Sequence, residues 1–351
     1  MSISASRGVP VQAVKFDYYI LNIYVPERDG TPPTLYGHWT EQVLVAEAQG
    51  YDTLWLTEHH FRNFGGMCPN PQLLLTAMAA RTKRIRLGTA VTVLPLHHPL
   101  RVAEDMAMLD IISGGRLEIG IGRGMPQAEY EIFGARWEES QERLEEAIAV
   151  MRAAWVSDPF TWSGTHYRYE KPIKLLPPPL QKPHPPIWAT ANFEEEHFRW
   201  IGRQGFHLMT LPWLAPSAAR TRELIQCWRE SLVEAGHDPA TREVLVMYFT
   251  HVRETAEDAR GAAEYWLRTM GGSPGERGGE NIRGMTYNRL IGETRAIIGD
   301  VARCREQVAF IRDTFGATHI ATVHHFGGVP QAEVLASMRL FAAEVAPGFR
   351  L

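Results

Sequence analysis

The sequence predicts a single (β/α)8 TIM barrel, and three observations lead there. Strand-like and helix-like segments alternate eight times along 351 residues without a run of either type, which argues for a parallel sheet. Eight such units within one domain's length favour a closed barrel over an open doubly wound sheet, the alternative. Titratable groups also gather where the strands end, as in the pairs His59-His60, His97-His98 and His324-His325.

Taken in order, residues 1–14 read as a loose leader and 15–351 as the barrel. KFDYYILNIYV over 15–25 is rich in aromatic and β-branched residues and predicts the first strand. A Pro/Gly loop follows, then a helix over 38–49 stopped by Gly50. Leu54, Trp55 and Leu56 form a short second strand that delivers Thr57, Glu58, His59 and His60 at its end. After a helix over 69–83, IRLGTAVTVL at 85–94 is nearly continuously apolar, as a strand covered on both faces must be. A helix over 99–113 precedes the fourth strand, over 116–124. Ser140 reads as the N-cap of a helix carrying Leu144, Ile148, Met151 and Trp155 on one stripe.

Residues 157–186 read as irregular and finish with six prolines between Pro177 and Pro186. Strands over 187–191, 207–211 and 244–252 then alternate with helices over 195–204, 217–235 and 256–270. The glycine-rich polar stretch 271–292 is too long for an ordinary connection and reads as a lid, a binding loop or disorder. Asp300 caps the next helix. A strand over 319–326 and a helix over 331–345 complete the eighth unit.

The composition is that of an ordinary globular protein: 45% hydrophobic, 22% charged, mean hydropathy −0.22. A net charge of −4 leaves no basic footprint for nucleic acid. Neither a membrane-spanning run nor an apolar signal core is found. Three scattered cysteines without a CxxC pair fit a reducing interior, so a cytoplasmic location is expected.

Barrel chemistry sits at the C-terminal ends of the strands, which here are 57–60, 94–98, 122–125, 190–192, 212–213 and 322–326. Adjacent histidines on a strand face opposite ways, so none of the pairs chelates one ion easily. Neither His-x-His nor HExxH occurs, and no metal is expected. Gly120-Ile-Gly-Arg-Gly124 lacks the third glycine of a dinucleotide loop and lies on the fourth strand. Its glycines allow backbone to approach a flat ligand, and Arg123 offers either a phosphate fork or a surface ion pair.

Together, GYDTLWLTEHHF, LGTAVTVLPLHHPLRVAEDMAMLDIISGGRLEIGIGRG, QKPHPPIW and the closing IIGDVARCREQVAFIRDTFGATHIATVHHFGGVPQAEVLASMRLFAAEVAP resemble the bacterial luciferase-like flavin-dependent monooxygenases. The resemblance spans roughly 15–348. It implies reduced FMN, or in one branch a reduced deazaflavin coenzyme. It also implies O2 activated as a flavin hydroperoxide, and a small aldehyde, alkane, organosulfur or nitrogen substrate. An NAD(P)H:flavin reductase as the source of reduced flavin and a homodimer are implied with it.

By position, the resemblance makes His59 the active-site histidine and Glu58 its acidic neighbour. Ala90-Val91 corresponds to a non-prolyl cis peptide against the flavin ring, and Arg123 to the phosphate-binding arginine. Gly124, Met125 and Asn192 fall among the flavin contacts, Trp213 near the ring, and 271–292 at a mobile lid. His60, on the opposite face, is expected to be structural. Trp162, Tyr287 and Trp213 are candidates for an apolar substrate wall. Two departures stand out. Gly122 replaces the luciferase cysteine, and Ala191-Asn-Phe-Glu-Glu-Glu196 replaces a Ser/Thr phosphate site at a helix N-terminus. Three glutamates there repel phosphate, so weak flavin retention is expected. A deazaflavin hydride-transfer enzyme and an inactive flavin-binding partner protein are the competing readings.

Overall fold

The computed structural model describes residues 13–21, 24–124, 127–270, 282 and 284–350. Its strands in chain order are β1 (Lys15–Ile20), β2 (Thr53–Leu56), β3 (Arg86–Thr89), β4 (Thr92–Val93), β5 (Leu117–Gly122), β6 (Phe160–Ser163), β7 (Arg168–Ile173), β8 (Ile187–Thr190), β9 (His207–Thr210), β10 (Val244–Val252), β11 (Ile297–Gly299) and β12 (His319–Val323). Eight of them run parallel in the order β12-β1-β2-β3-β5-β8-β9-β10, and β10 pairs back onto β12. The ring closes, so the expected (β/α)8 barrel is the fold. Its strands are buried along their length, with helices on the outer face, which explains why they read as apolar runs and not as alternation.

The outline matches the expectation, and the details differ for physical reasons. The helix predicted over 38–49 runs Pro32–Gln49, six residues earlier at its start. Its prolines occupy the first turn, where a missing N–H costs nothing. The predicted strand over 85–94 is two strands, broken at Ala90 and Val91. Within 157–186, β6 and β7 pair as an antiparallel hairpin instead of an irregular loop. Glu146 pins it, accepting from the Trp162 indole at 3.0 Å and from the backbone N–H of His166 at 2.8 Å. In the predicted lid, 271–281 and 283 lie outside the described residues, whereas Tyr287–Gly292 is a helix, and β11 beyond it pairs in parallel with the last residues of β10. Residues 1–12 of the leader also lie outside them, and Val14 is buried, donating to the Phe349 carbonyl. Among the described residues, no helix is long and apolar enough to cross a membrane.

At the N-terminal ends of the strands the barrel interior holds a closed ionic cluster. His319 lies 2.8 Å through Nδ1 from Asp17 and 3.3 Å through Nε2 from Glu243, which also takes Lys15 at 2.6 Å. The Trp55 indole donates to Asp17, and the Trp188 indole to Glu118, itself paired with Arg86. Burial alone lowers the His319 pKa, yet the two carboxylates outweigh it and raise the value to about 9.

Candidate active site

At the opposite end the strand termini surround a cavity of about 200 Å³. β2 ends at Leu56 and places Thr57, Glu58 and His59 on its wall. β3 ends at Thr89, and the Ala90–Val91 peptide that follows is cis. The Tyr19 hydroxyl donates to the Ala90 carbonyl at 2.6 Å, and the Ala90 N–H donates to Leu56 at 2.7 Å. Opposite, Gly122 on β5 has no room for a side chain: a Cβ there would stand 2.6 Å from Val91 and 2.9 Å from Thr190. Gly122 thus packs against Val91 and Thr190, which line the cavity, and the departure from cysteine follows from packing.

Glu58 is buried and saturated. Its Oε1 accepts from His97 Nε2 at 2.6 Å and from His60 Nε2 at 3.1 Å; its Oε2 accepts the Val93 N–H at 3.0 Å. Burial pushes its pKa up, but these donors prevail and hold it below the usual carboxylate range. Burial depresses His97 as well, yet the bond to Glu58 leaves its pKa raised. This carboxylate ties the segment after the cis peptide to two histidines and has little capacity left for shuttling protons.

His59 has a different setting. Its Nδ1 lies 2.9 Å from Arg62 Nη2 and 3.8 Å from Glu129 Oε1. Gly65, at φ +71°, packs flat against the ring; a Cβ there would fall 2.3 Å from His59 Cδ2. Phe64 lies beside it at 5.6 Å between centroids. Glu129 also accepts the His60 N–H at 3.2 Å, with Arg62 Nε 3.4 Å away. Burial raises the Glu129 pKa, but the donors around it, the His60 N–H and Arg62 among them, hold it below the usual carboxylate range.

The third wall carries the cation. Arg123 donates through Nε to Ser140 at 3.1 Å, meets His197 Nε2 at 3.0 Å and lies 4.6 Å over the Trp137 ring. Ser140 thus serves Arg123; the helix Ser140–Val156 has Glu139 at its N-cap and no side-chain cap bond. The three glutamates of the Ala191–Glu196 stretch are each matched on their own helix: Glu194 near His197 at 3.5 Å, Glu195 with Arg199 at 2.8 Å, and Glu196 with Arg203. The Asn192 carbonyl oxygen accepts the Leu211 N–H at 2.9 Å.

Of the residues selected from the sequence, Glu58, His59, Ala90, Val91, Arg123, Gly124, Asn192 and Trp213 all line this one cavity. Met125 lies outside the described residues. Trp162 and Tyr287 do not reach it: the first is bonded within the hairpin, and the second lies under Arg260. Tyr19, Arg62, Glu129, Trp137 and His197 went unnoticed. Only the short spacing of Arg62 from the histidine pair offered a signal.

The luciferase-like monooxygenase family model matches residues 22–319. A flavin-dependent trigonelline monooxygenase, oxygenase component, of Acinetobacter baylyi is 34% identical over 66% of this chain; the match spans 64% of that relative's length, under two thirds. Among solved structures, the monooxygenase RslO1 of Streptomyces bottropensis superimposes with a TM-score of 0.86 at 26% identity, over 96% of this chain and 100% of that one. The oxygenating constituent of 3,6-diketocamphane monooxygenase of Pseudomonas putida, in complex with FMN, shares the fold, with a TM-score of 0.81 at 20% identity over 97% and 99% of the two chains. From sequence and fold together, the chain belongs to the luciferase-like monooxygenase family.

Proposed function

We propose that the chain is the oxygenase of a two-component flavin-dependent monooxygenase. It takes reduced FMN from a separate NAD(P)H:flavin reductase and, with O2, places one oxygen atom on a small organic substrate: an aldehyde, alkane, organosulfur or nitrogen compound. One observation carries this reading. A single cavity has His59 on one wall, the cis Ala90–Val91 peptide, packed against side-chain-free Gly122, on its floor, and Arg123 at a polar end. A flat ring bearing an anionic tail fits that arrangement. Ala90, Val91, Gly124 and Trp213 flank the ring in this reading, with Arg123 and Asn192 at its polar groups and Met125 adjacent in sequence.

A bound reduced flavin supplies the electrons that activate O2. The chain binds, orients and excludes water. His59 faces the reacting region, Glu58 fixes the loop beneath it, and Trp213, Leu214 and Met247 keep the substrate side apolar. The relative's description as an oxygenase component supports the same division of labour here. Flavin is held transiently, because no hydroxyl side chain caps the helix Glu195–Gln204 where its phosphate would approach. FMN titration should give a Kd on the order of 1 μM or weaker; nanomolar binding refutes this. The active species is proposed to be a homodimer in the cytoplasm, for which light scattering is the check on assembly.

The test is to mix protein and photoreduced FMN anaerobically, then add O2 in a stopped-flow spectrometer. A flavin phase slower than free-flavin reoxidation is expected. Reoxidation at the free rate, with turnover of a reduced deazaflavin instead, supports the hydride-transfer alternative. Neither activity would leave the inactive flavin-binding partner protein.

A further inference from the structure

We infer that Arg62, anchored by Glu129, fixes the proton on His59, so that the neutral ring presents Nε2–H to the cavity and keeps Nδ1 as an acceptor. A guanidinium has five donors and no acceptor, and does not deprotonate in proteins. At 2.9 Å from Arg62 Nη2, His59 Nδ1 can only be the accepting partner. The competing acceptor for an Nδ1–H, Glu129 Oε1, is 3.8 Å away, beyond hydrogen-bond reach. A neutral imidazole with Nδ1 accepting carries its proton on Nε2.

Among the described residues that nitrogen has no hydrogen-bond partner, and His59 lines the cavity with 16% of its side chain exposed. Gly65 behind the ring and Phe64 beside it limit ring rotation, which would exchange the two edges. Glu129 holds Arg62 in place from its Nε side at 3.4 Å.

The consequence separates two roles. In this tautomer His59 gives a hydrogen bond at the cavity edge and cannot accept a proton there. Its work is donation to an acceptor atom of cofactor, oxygen or substrate, not abstraction of a substrate proton through Nε2. Arg62 is a positioning residue acting through His59. The inference rests on the proposed flavin reaction only for what the Nε2–H faces; the tautomer itself does not.

The full chain, labelled with 15N-histidine and free of flavin, is examined by two-bond 1H–15N correlation at about pH 8.5, above the ordinary imidazole titration. His59 signals are assigned by their loss in His59→Gln. The wild-type spectrum should show a protonated Nε2 and a bare Nδ1. In Arg62→Leu, the ratio of tautomers should fall by about ten-fold or more, the size expected for one charge-assisted hydrogen bond; Arg62→Lys should preserve it. A wild-type His59 protonated on Nδ1, or an even mixture, overturns the inference. So does an Arg62→Leu ratio equal to wild type. If Arg62→Leu fails to fold, the wild-type spectrum still decides the proton's position. No turnover is involved, so a failure of the stopped-flow test leaves this result standing, and the reverse.

Discussion

At the N-terminal end of the barrel, His319 has a carboxylate at each ring nitrogen, Asp17 and Glu243. At the C-terminal end, His59 has Arg62 at one nitrogen and a cavity at the other. Both ends bury imidazoles beside acids, so the density of titratable groups does not separate a structural cluster from a site. What separates them is whether an edge stays open. His319 is sandwiched and charged, with a carboxylate facing each ring nitrogen. His59 is held on one edge only. Glu58 belongs with the first kind although it lies beside the second, since two histidines and a backbone N–H occupy its oxygens.

Substitutions should therefore divide by end. His59→Ala should lower product formation about 10²–10⁴-fold with flavin binding nearly unchanged, measured with reduced FMN supplied chemically. Unchanged yield would remove His59 from the reaction. His319→Gln should do the opposite: a loss of about 3–5 kcal/mol in urea unfolding, because Asp17 is left buried without its charge partner, while flavin affinity stays. The same histidine sets a pH dependence. Its folded pKa of about 9 exceeds the ordinary 6.5, so its contribution is complete below about pH 6.5 and is lost as pH rises through 9. Wild-type urea midpoints should decline over that window, and those of His319→Gln should decline less.

Gly65→Ala sharpens the contrast at the open end. A methyl group 2.3 Å from the His59 ring, on a backbone at φ +71°, must displace the ring. A shift of about 1 Å costs on the order of 10²-fold in rate; equal rates would show that the ring's seat is unimportant. The smallest effect is expected at Arg123→Lys. It keeps the charge but loses the fork and the stacking on Trp137, and should weaken FMN binding about ten-fold in a fluorescence titration.

The closed barrel was readable because burial on both faces writes apolar runs such as 85–94, even where the run is two short strands. Strand ends then located the stretches holding Glu58, His59, Arg123 and Asn192, and the family resemblance singled these residues out within them. The hairpin β6–β7 was hidden because its strands are short and half exposed beside a proline-rich tail. Arg62 and Glu129 were hidden for another reason: their pairing spans 67 positions, and no local pattern records a contact made by folding. The partners of Glu58 were hidden in the same way, since His97, its shortest one, lies 39 positions away.

The tight packing of Gly122 against Val91 and Thr190 has a bearing on how this pocket could diversify. A side chain at 122 collides with Val91 and Thr190 together, so single replacements there should be lost from any mutant library. Variants enlarged at 122 should survive only with a smaller residue at 91 or 190. New substrate shapes at this point would then be reached by paired steps across neighbouring strands, a coupling that makes the Val91–Thr190 side of the cavity slow to evolve.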